Sequence, residues 1–181
     1  MREISLHILD IAKNSVRAKA TLITLGVEVD DAADTLVFSV KDNGCGMSEE
    51  LLKTVTDPFT TTRTTRKVGL GLPLLRTNTE LTGGGIEITS TVGVGTLVKA
   101  TFGLSSIDRM PLGDLSETVI TLVSGSPEVD FVLNVKRGEQ EFCFDTAAIK
   151  QMLGVSVLDE AEVLQYLTEY VRENIVFIKD I

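Results

Sequence analysis

The sequence predicts an α+β fold, because segments of helical and of alternating periodicity succeed one another along its 181 residues and turn-forming glycines and aspartates separate them. A hydrophobic content of 43% is enough for a chain of this length to close a core without disulfide staples. No apolar run approaches the roughly 20 residues that cross a bilayer, and the opening residues begin an amphipathic pattern, so a cytoplasmic, non-membrane protein is expected. Ile4, Ile8, Ile11, Ala12, Ser15 and Ala18 recur at helical spacing, which predicts an amphipathic helix over residues 2–18. Residues 21–29 and 35–41 alternate apolar with polar around Asp30-Asp31-Ala32-Ala33-Asp34, a hairpin that should lie against the first helix.

Asp42-Asn43-Gly44-Cys45-Gly46-Met47 follows the second strand, and Ser48-Glu49-Glu50 then signals a short capped helix to about Thr54. Residues 56–68 read as a polar loop. Gly69-Leu70-Gly71-Leu72-Pro73 opens another helix, in whose first turn proline costs no hydrogen bond, and Gly83-Gly84-Gly85 ends it. Strands at 86–91 and 95–102, joined by Val92-Gly93-Val94-Gly95, complete this part. Beyond Ser105 we expect a helix near 113–123, a hairpin in 129–145 turning at Arg137-Gly138-Glu139, a short helix at 146–153 and a longer one at 159–175, with Asp159 and Glu162 as a capping pair. This divides the chain into residues 1–104 and a small α+β extension, 105–181, which the lack of a flexible linker should pack together.

Net charge is −9 and the isoelectric point about 4.6, so the broad positive field of a non-specific nucleic-acid binder is missing. Arg63, Arg66 and Lys67 form a local basic cluster against that background. Cys45 and Cys143 have neither Cys-x-x-Cys nor Cys/His spacing, which argues for two reduced thiols and against zinc.

Three features carry chemistry. Asp42-x-Gly44-x-Gly46 after a strand sets a carboxylate at a sheet edge beside unobstructed backbone, where it could accept from an adenine amino group; a plain turn uses the same residues. Gly69-x-Gly71 before a helix leaves backbone N–H groups at a positive dipole end for phosphate, or is only a loop-helix junction. P-loop and dinucleotide spacings are both missing. Asp10, Asn14 and Arg17 share one side of the first helix; an amide oxygen suits Mg2+ and a guanidinium suits phosphate, while a solvated helix face carries the same residue types.

Taken in order, these segments resemble the histidine-kinase-like (GHKL) ATPases. Asp10-x-x-x-Asn14-x-x-Arg17-Ala18 is similar to their N box, Asp42 to Met47 to the first glycine box, Gly69-Leu70-Gly71-Leu72 to the second, and Asp57-Pro58-Phe59-Thr60-Thr61-Thr62-Arg63 to the kinase Pro-Phe-x-Thr-Thr-Lys segment. Thr82-Gly83-Gly84 and Ser90-x-x-Gly93-x-Gly95-Thr96 resemble the closing elements. The resemblance covers residues 4–102 and implies a two-layer α/β sandwich of the Bergerat type, a mixed, mainly antiparallel sheet with ATP held between sheet and lid. It implies Asp42 on adenine, Gly44, Gly46 and Met47 in the box beside it, and Thr96 at the pocket's base. Asn14 would hold Mg2+, Arg17 would lie near phosphate, and Gly69, Leu70, Gly71 and Leu72 would form the phosphate-facing turn. Residues 56–68, with Thr61, Thr62, Arg63, Arg66 and Lys67, would be the lid.

One departure matters: position 10, glutamate as general base in the ATPase branch, is aspartate here, which keeps a proton acceptor but reaches one methylene less far. The chain opens at the N box, so a preceding phosphoacceptor hairpin is not expected, and His7, the sole histidine, reads as a packing or surface residue. Two functions are in play: a regulatory kinase acting in trans on a partner protein, similar to the small anti-sigma serine kinases, and a non-catalytic or slowly hydrolysing ATP switch that controls what residues 105–181 bind. The whole chain also resembles small ATP-binding regulators associated with iron hydrogenases, in which Cys45 would sense redox state or simply fill a small position. Leu164, Leu167, Val171 and Ile175 form a stripe that reads as core or as a homodimer or partner surface.

Overall fold

The computed structural model describes residues 2–55 and 71–181. α1 (Ile4–Arg17) leads into the hairpin of β1 (Leu22–Asp30) and β2 (Thr35–Asp42); α2 (Glu49–Thr54) and α3 (Gly71–Leu81) precede a second hairpin, β3 (Gly85–Thr91) and β4 (Gly95–Gly103). α4 (Leu115–Gly125), β5 (Asp130–Arg137), β6 (Gln140–Asp145), α5 (Thr146–Leu153) and α6 (Ala161–Asn174) follow. The strands make one sheet in the order β3-β4-β2-β1-β5-β6, in which only the β1–β5 pairing is parallel. The mixed, mainly antiparallel α+β sandwich expected from the sequence is therefore present, and β5 extends the sheet directly from β1.

Alternation decides which face is covered. Ile23, Leu25, Val27 and Val29 of β1, Leu36, Phe38 and Val40 of β2, Val98, Ala100 and Phe102 of β4, and Phe131, Leu133 and Val135 of β5 are all buried, whereas Glu28, Lys41, Lys99 and Lys136 on the opposite face are exposed. α1 meets the covered face with Ile4, Ile8, Ile11 and Ala12, each large side chain contributing about 1.5–3 kcal/mol on burial. α3 and α4 pack beside α1, and α6 packs on α4.

Local signals explain most boundaries. Asp30 Oδ1 accepts from the N–H groups of Ala32 and Ala33, which shapes the β1–β2 turn. Ser48 caps α2 through the Leu51 N–H, and Asp114 caps α4 through the Glu117 N–H, so α4 begins two residues later than the sequence pattern suggested. The expected capping pair of α6 is corrected: the helix starts at Ala161 after Glu160, no side chain caps it, and Asp159 falls one residue too early to reach the first turn. Leu167, Val171 and Ile175 are buried and Leu164 packs against the core, which makes the α6 stripe core.

α1 has no side-chain cap, and its first N–H groups are satisfied from far along the chain. Ile4 donates to the Pro111 carbonyl at 3.0 Å and Ser5 to that of Leu112 at 2.8 Å. The helix that bears Asp10, Asn14 and Arg17 is thus anchored by residues from beyond position 105.

Candidate nucleotide site

Asp42 ends β2 with its side chain on the covered face and is only 8% exposed. Its register partners are Ile23 on β1 and Thr96 on β4, and Thr96 in turn faces Ser90 on β3, so four residues form a row across four strands. A buried carboxylate must be well bonded to remain there. Oδ1 accepts from the backbone N–H of Gly44 at 2.9 Å and of Thr96 at 3.2 Å, and Oδ2 accepts from the Ser15 hydroxyl. Ionised, the group offers about four acceptor positions. Among the described residues three are filled, and one is left for a donor such as a purine amino group.

The loop after Asp42 is held from several sides. Asn43 Oδ1 accepts from the N–H groups of Thr21 and Leu22, and Nδ2 donates to the Thr21 hydroxyl, which ties the loop to the start of β1. Cys45 N–H donates to the Ala18 carbonyl, and Met47 N–H donates to Ser90 Oγ at 2.8 Å. Ser90 also bonds the Gly95 carbonyl and Thr96 Oγ1. A Cβ at Gly44 would crowd the Ala18 carbonyl, and at Gly46, whose φ is +68°, it would strike the Thr91 carbonyl. These glycines let the loop lie flat between α1 and β3, a packing reason the sequence reading did not supply. Cys45 is a free, exposed thiol.

On α1, Asp10, Asn14 and Arg17 occupy the flank beside the buried stripe. Asn14 Oδ1 accepts from Arg17 Nη1 at 3.1 Å, and both residues are exposed. Asp10 is half-buried and accepts no hydrogen bond among the described residues. Its Oδ2 lies so close to Gly71 that a Cβ there would collide with it, so this glycine lets α3 approach α1. Leu72 follows, packed against the core, and Pro73 is buried in the first turn of α3. Thr61, Thr62, Arg63, Arg66, Lys67, Gly69 and Leu70, with the rest of the expected lid, lie outside the described residues.

Asn14 Oδ1 and the Asp10 carboxylate lie four residues apart on one side of α1, hard oxygen donors of the kind that suit Mg2+. Among the described residues no group of three or more His, Cys, Asp or Glu side chains could hold a metal, so an ion at this site would depend on phosphate oxygens and water for its remaining ligands. The residues present fit such an ion.

His7, one turn before Asp10, is 1% exposed, and its Nε2 lies 3.2 Å from Asn78 Nδ2 on α3. As the amide is the donor, Nε2 accepts and the ring proton sits on Nδ1, which has no partner among the described residues. Burial pushes the imidazole from 6.5 down to about 4, against the opposing pull of the Asp10 charge. His7 is a neutral packing residue, one of the two readings the sequence allowed.

Sequence reasoning missed three residues. Ser15 had been read only as part of the inward stripe, yet a hydroxyl in such a stripe needs a buried acceptor, and that requirement points to Asp42. Ser90 follows Ile86 and Ile88 at period two, which turns it inward beside Thr96. Asn43 gave no signal distinct from an ordinary turn residue.

The fold and the order of its motifs are those of a histidine-kinase-like ATPase domain. Residues 2–106 match the family described as "Histidine kinase-, DNA gyrase B-, and HSP90-like ATPase", and the chain belongs to that family. It is 32% identical over 98 residues to Sporulation kinase C of Bacillus subtilis, an alignment covering 54% of this chain and 23% of that protein. It is 41% identical over 68 residues to Sensor kinase CckA of Brucella abortus, covering 37% of this chain and 7% of that one. The matched region is thus under a quarter of either relative. Among solved structures, the N-terminal domain of a DNA repair protein aligns with TM-score 0.52 at 11% identity over 79% of this chain and 52% of the other, a likeness of fold. Among the described residues no helix is long and apolar enough to cross a membrane.

Proposed function

We propose that the protein binds Mg-ATP and acts as a regulatory protein kinase in trans, transferring phosphate to a partner. The observation that carries the nucleotide reading is Asp42: a buried carboxylate fixed by Gly44, Thr96 and Ser15, with one acceptor position unfilled among the described residues. The adenine amino group would donate to it. Asn14 and Arg17 would meet the phosphates from α1, and Gly71, with Gly69 and Leu70 before it, would offer backbone N–H groups at the start of α3. Mg2+, when bound, would neutralise polyphosphate charge. Asp10 would accept the proton of the attacking hydroxyl. Phosphate transfer is supported by the kinase names of the relatives, and His7, buried against Asn78, is not placed to receive the phosphate.

A second reading, an ATP-dependent switch with little or no turnover, is favoured by one feature. The Asp10 carboxylate is short and turned against Gly71, so phosphates arriving there would compete with it and displace α3. Purified protein with γ-labelled Mg-ATP decides between them. Turnover or transfer that disappears in Asp10→Ala while nucleotide binding survives supports the kinase; tight binding without either supports the switch; no binding at all removes both.

A further inference from the structure

β6 closes the sheet at the end opposite β3, and among the described residues no strand lies beyond it. Apart from the ladder to β5, no backbone hydrogen bond among the described residues reaches 140–144, so alternate N–H and C=O groups of the strand face outward unpaired. The strand contains neither proline nor lysine, and its pairing with β5 runs without a bulge. Its only blunting charges are acidic, with Glu141 exposed, and these repel another acidic strand but not a basic one.

Charge is unevenly divided along the chain. Residues 105–181 carry 14 acidic and 6 basic side chains, against 12 and 11 in residues 1–104, so nearly all the net negative charge belongs to the part that includes β6. Beside the strand, α6 carries Glu162, Tyr166, Glu169, Tyr170 and Glu173 on its exposed surface, and the Tyr170 ring meets Phe142 of β6 edge-on at 5.7 Å. Tyr166 is 70% exposed and Tyr170 40%. Large rings held open among carboxylates are surfaces on which guanidinium and ammonium groups stack and pair.

We propose that β6 and the neighbouring face of α6 form a docking edge for an extended, lysine- and arginine-rich segment of a partner protein. The segment adds a seventh strand to the sheet by main-chain hydrogen bonds, while its cations lie over Tyr166 and Tyr170 and beside Glu162 and Glu173. A second copy of this chain is the poorer occupant, because it would bring a surface of the same negative sign against this one. Nucleic acid is repelled by the same charge. The surface stands at the far edge of the sheet from the Asp42 row and does not depend on the nucleotide reading.

The test uses the full chain and a set of short synthetic peptides in which lysine or arginine alternates with valine, threonine or tyrosine, titrated by calorimetry. Binding should weaken about tenfold from low to physiological salt, and about fivefold in Tyr166→Ser, a change at an exposed position that leaves the melting temperature in place. N-methylation of alternate peptide amides should abolish it, and the amides of residues 140–144 should gain protection from hydrogen exchange. No binding across the set, binding that survives N-methylation, protection that develops elsewhere, or self-association of the chain through β6 would each overturn the proposal.

Discussion

Replacing Asp42 with asparagine changes the chemistry of the site while leaving its packing almost untouched. The amide oxygen can still accept from the N–H groups of Gly44 and Thr96, and the new NH2 can donate to the Ser15 hydroxyl, which accepts as readily as it donates. Stability should therefore change by about 1 kcal/mol or less. Toward adenine the effect is larger. A charge-assisted hydrogen bond of about 1.5–3 kcal/mol is lost, and a donor now confronts the amino group, so a total of about 2–4 kcal/mol is expected. That corresponds to roughly 30- to 1,000-fold weaker Mg-ATP binding. Calorimetry with Mg-ATP, beside a thermal melt without nucleotide, separates the two effects. Inosine triphosphate supplies the converse, because its ring carbonyl accepts where adenine donates: the variant should lose much less affinity for it, or gain some. An Asp42→Asn protein that melts normally, binds ATP within about threefold of the parent and keeps the parent's preference between the two purines would refute the assignment.

Gly71→Ala forces a Cβ against Asp10 Oδ2, so α3 and Asp10 must separate; nucleotide-dependent turnover should fall at least about tenfold while the urea midpoint shifts little, and unchanged kinetics would show that the contact is incidental. His7 is neutral when folded and titrates near 4, against 6.5 when unfolded. Its contribution is fully present above 6.5 and is lost as pH falls toward 4, at up to about 1.4 kcal/mol per pH unit. His7→Leu should flatten the fall in denaturant-derived stability between pH 6.5 and 5, and parallel curves for the two proteins would exclude the linkage. A chain ending at residue 104 loses the β5 neighbour of β1, the burial supplied by Phe131, Leu133 and Val135, and the two carbonyls that satisfy the start of α1. It should lack a cooperative urea transition, and a fragment that unfolds cooperatively would show that these contacts are dispensable.

The elements were legible because most are specified locally. Ile4, Ile8 and Ile11 at helical spacing, strict alternation in β1 and β2, and positive-φ glycines at 83, 93 and 138 each mark a boundary that no distant contact overrides. Sheet order was less accessible, since the parallel pairing of β1 with β5 joins residues more than 100 positions apart and leaves no local trace. The α6 cap failed for a related reason: Asp159 and Glu162 have suitable chemistry, but helix onset is set by how Val163, Leu164 and Leu167 pack on the core. Motif order singles out Asp42, Asn14 and Thr96, and the structure joins Asp42 to the Thr96 N–H. For Ser15 and Ser90 periodicity shows only that each turns inward; that they meet Asp42 and the loop after it depends on the sheet register.

Those two serines show how the parts of the chain converge on the pocket. Ser15 carries the grip on Asp42 into α1, and Ser90 carries the position of Thr96 and the Met47 loop into β3, so the carboxylate is fixed between a helix and the far hairpin. α1 in turn is anchored at its start by Pro111 and Leu112, residues that precede α4 and the strands extending the sheet. A displacement of α4 or β5 would therefore reach Asp10 and Asn14 through a rigid helix, with no flexible linker to absorb it. This gives residues 105–181 a physical role in holding α1, the helix that carries Asp10, Asn14 and Arg17. It also accounts for a chain in which nucleotide motifs fill one half while the helix that bears several of them is completed by the other.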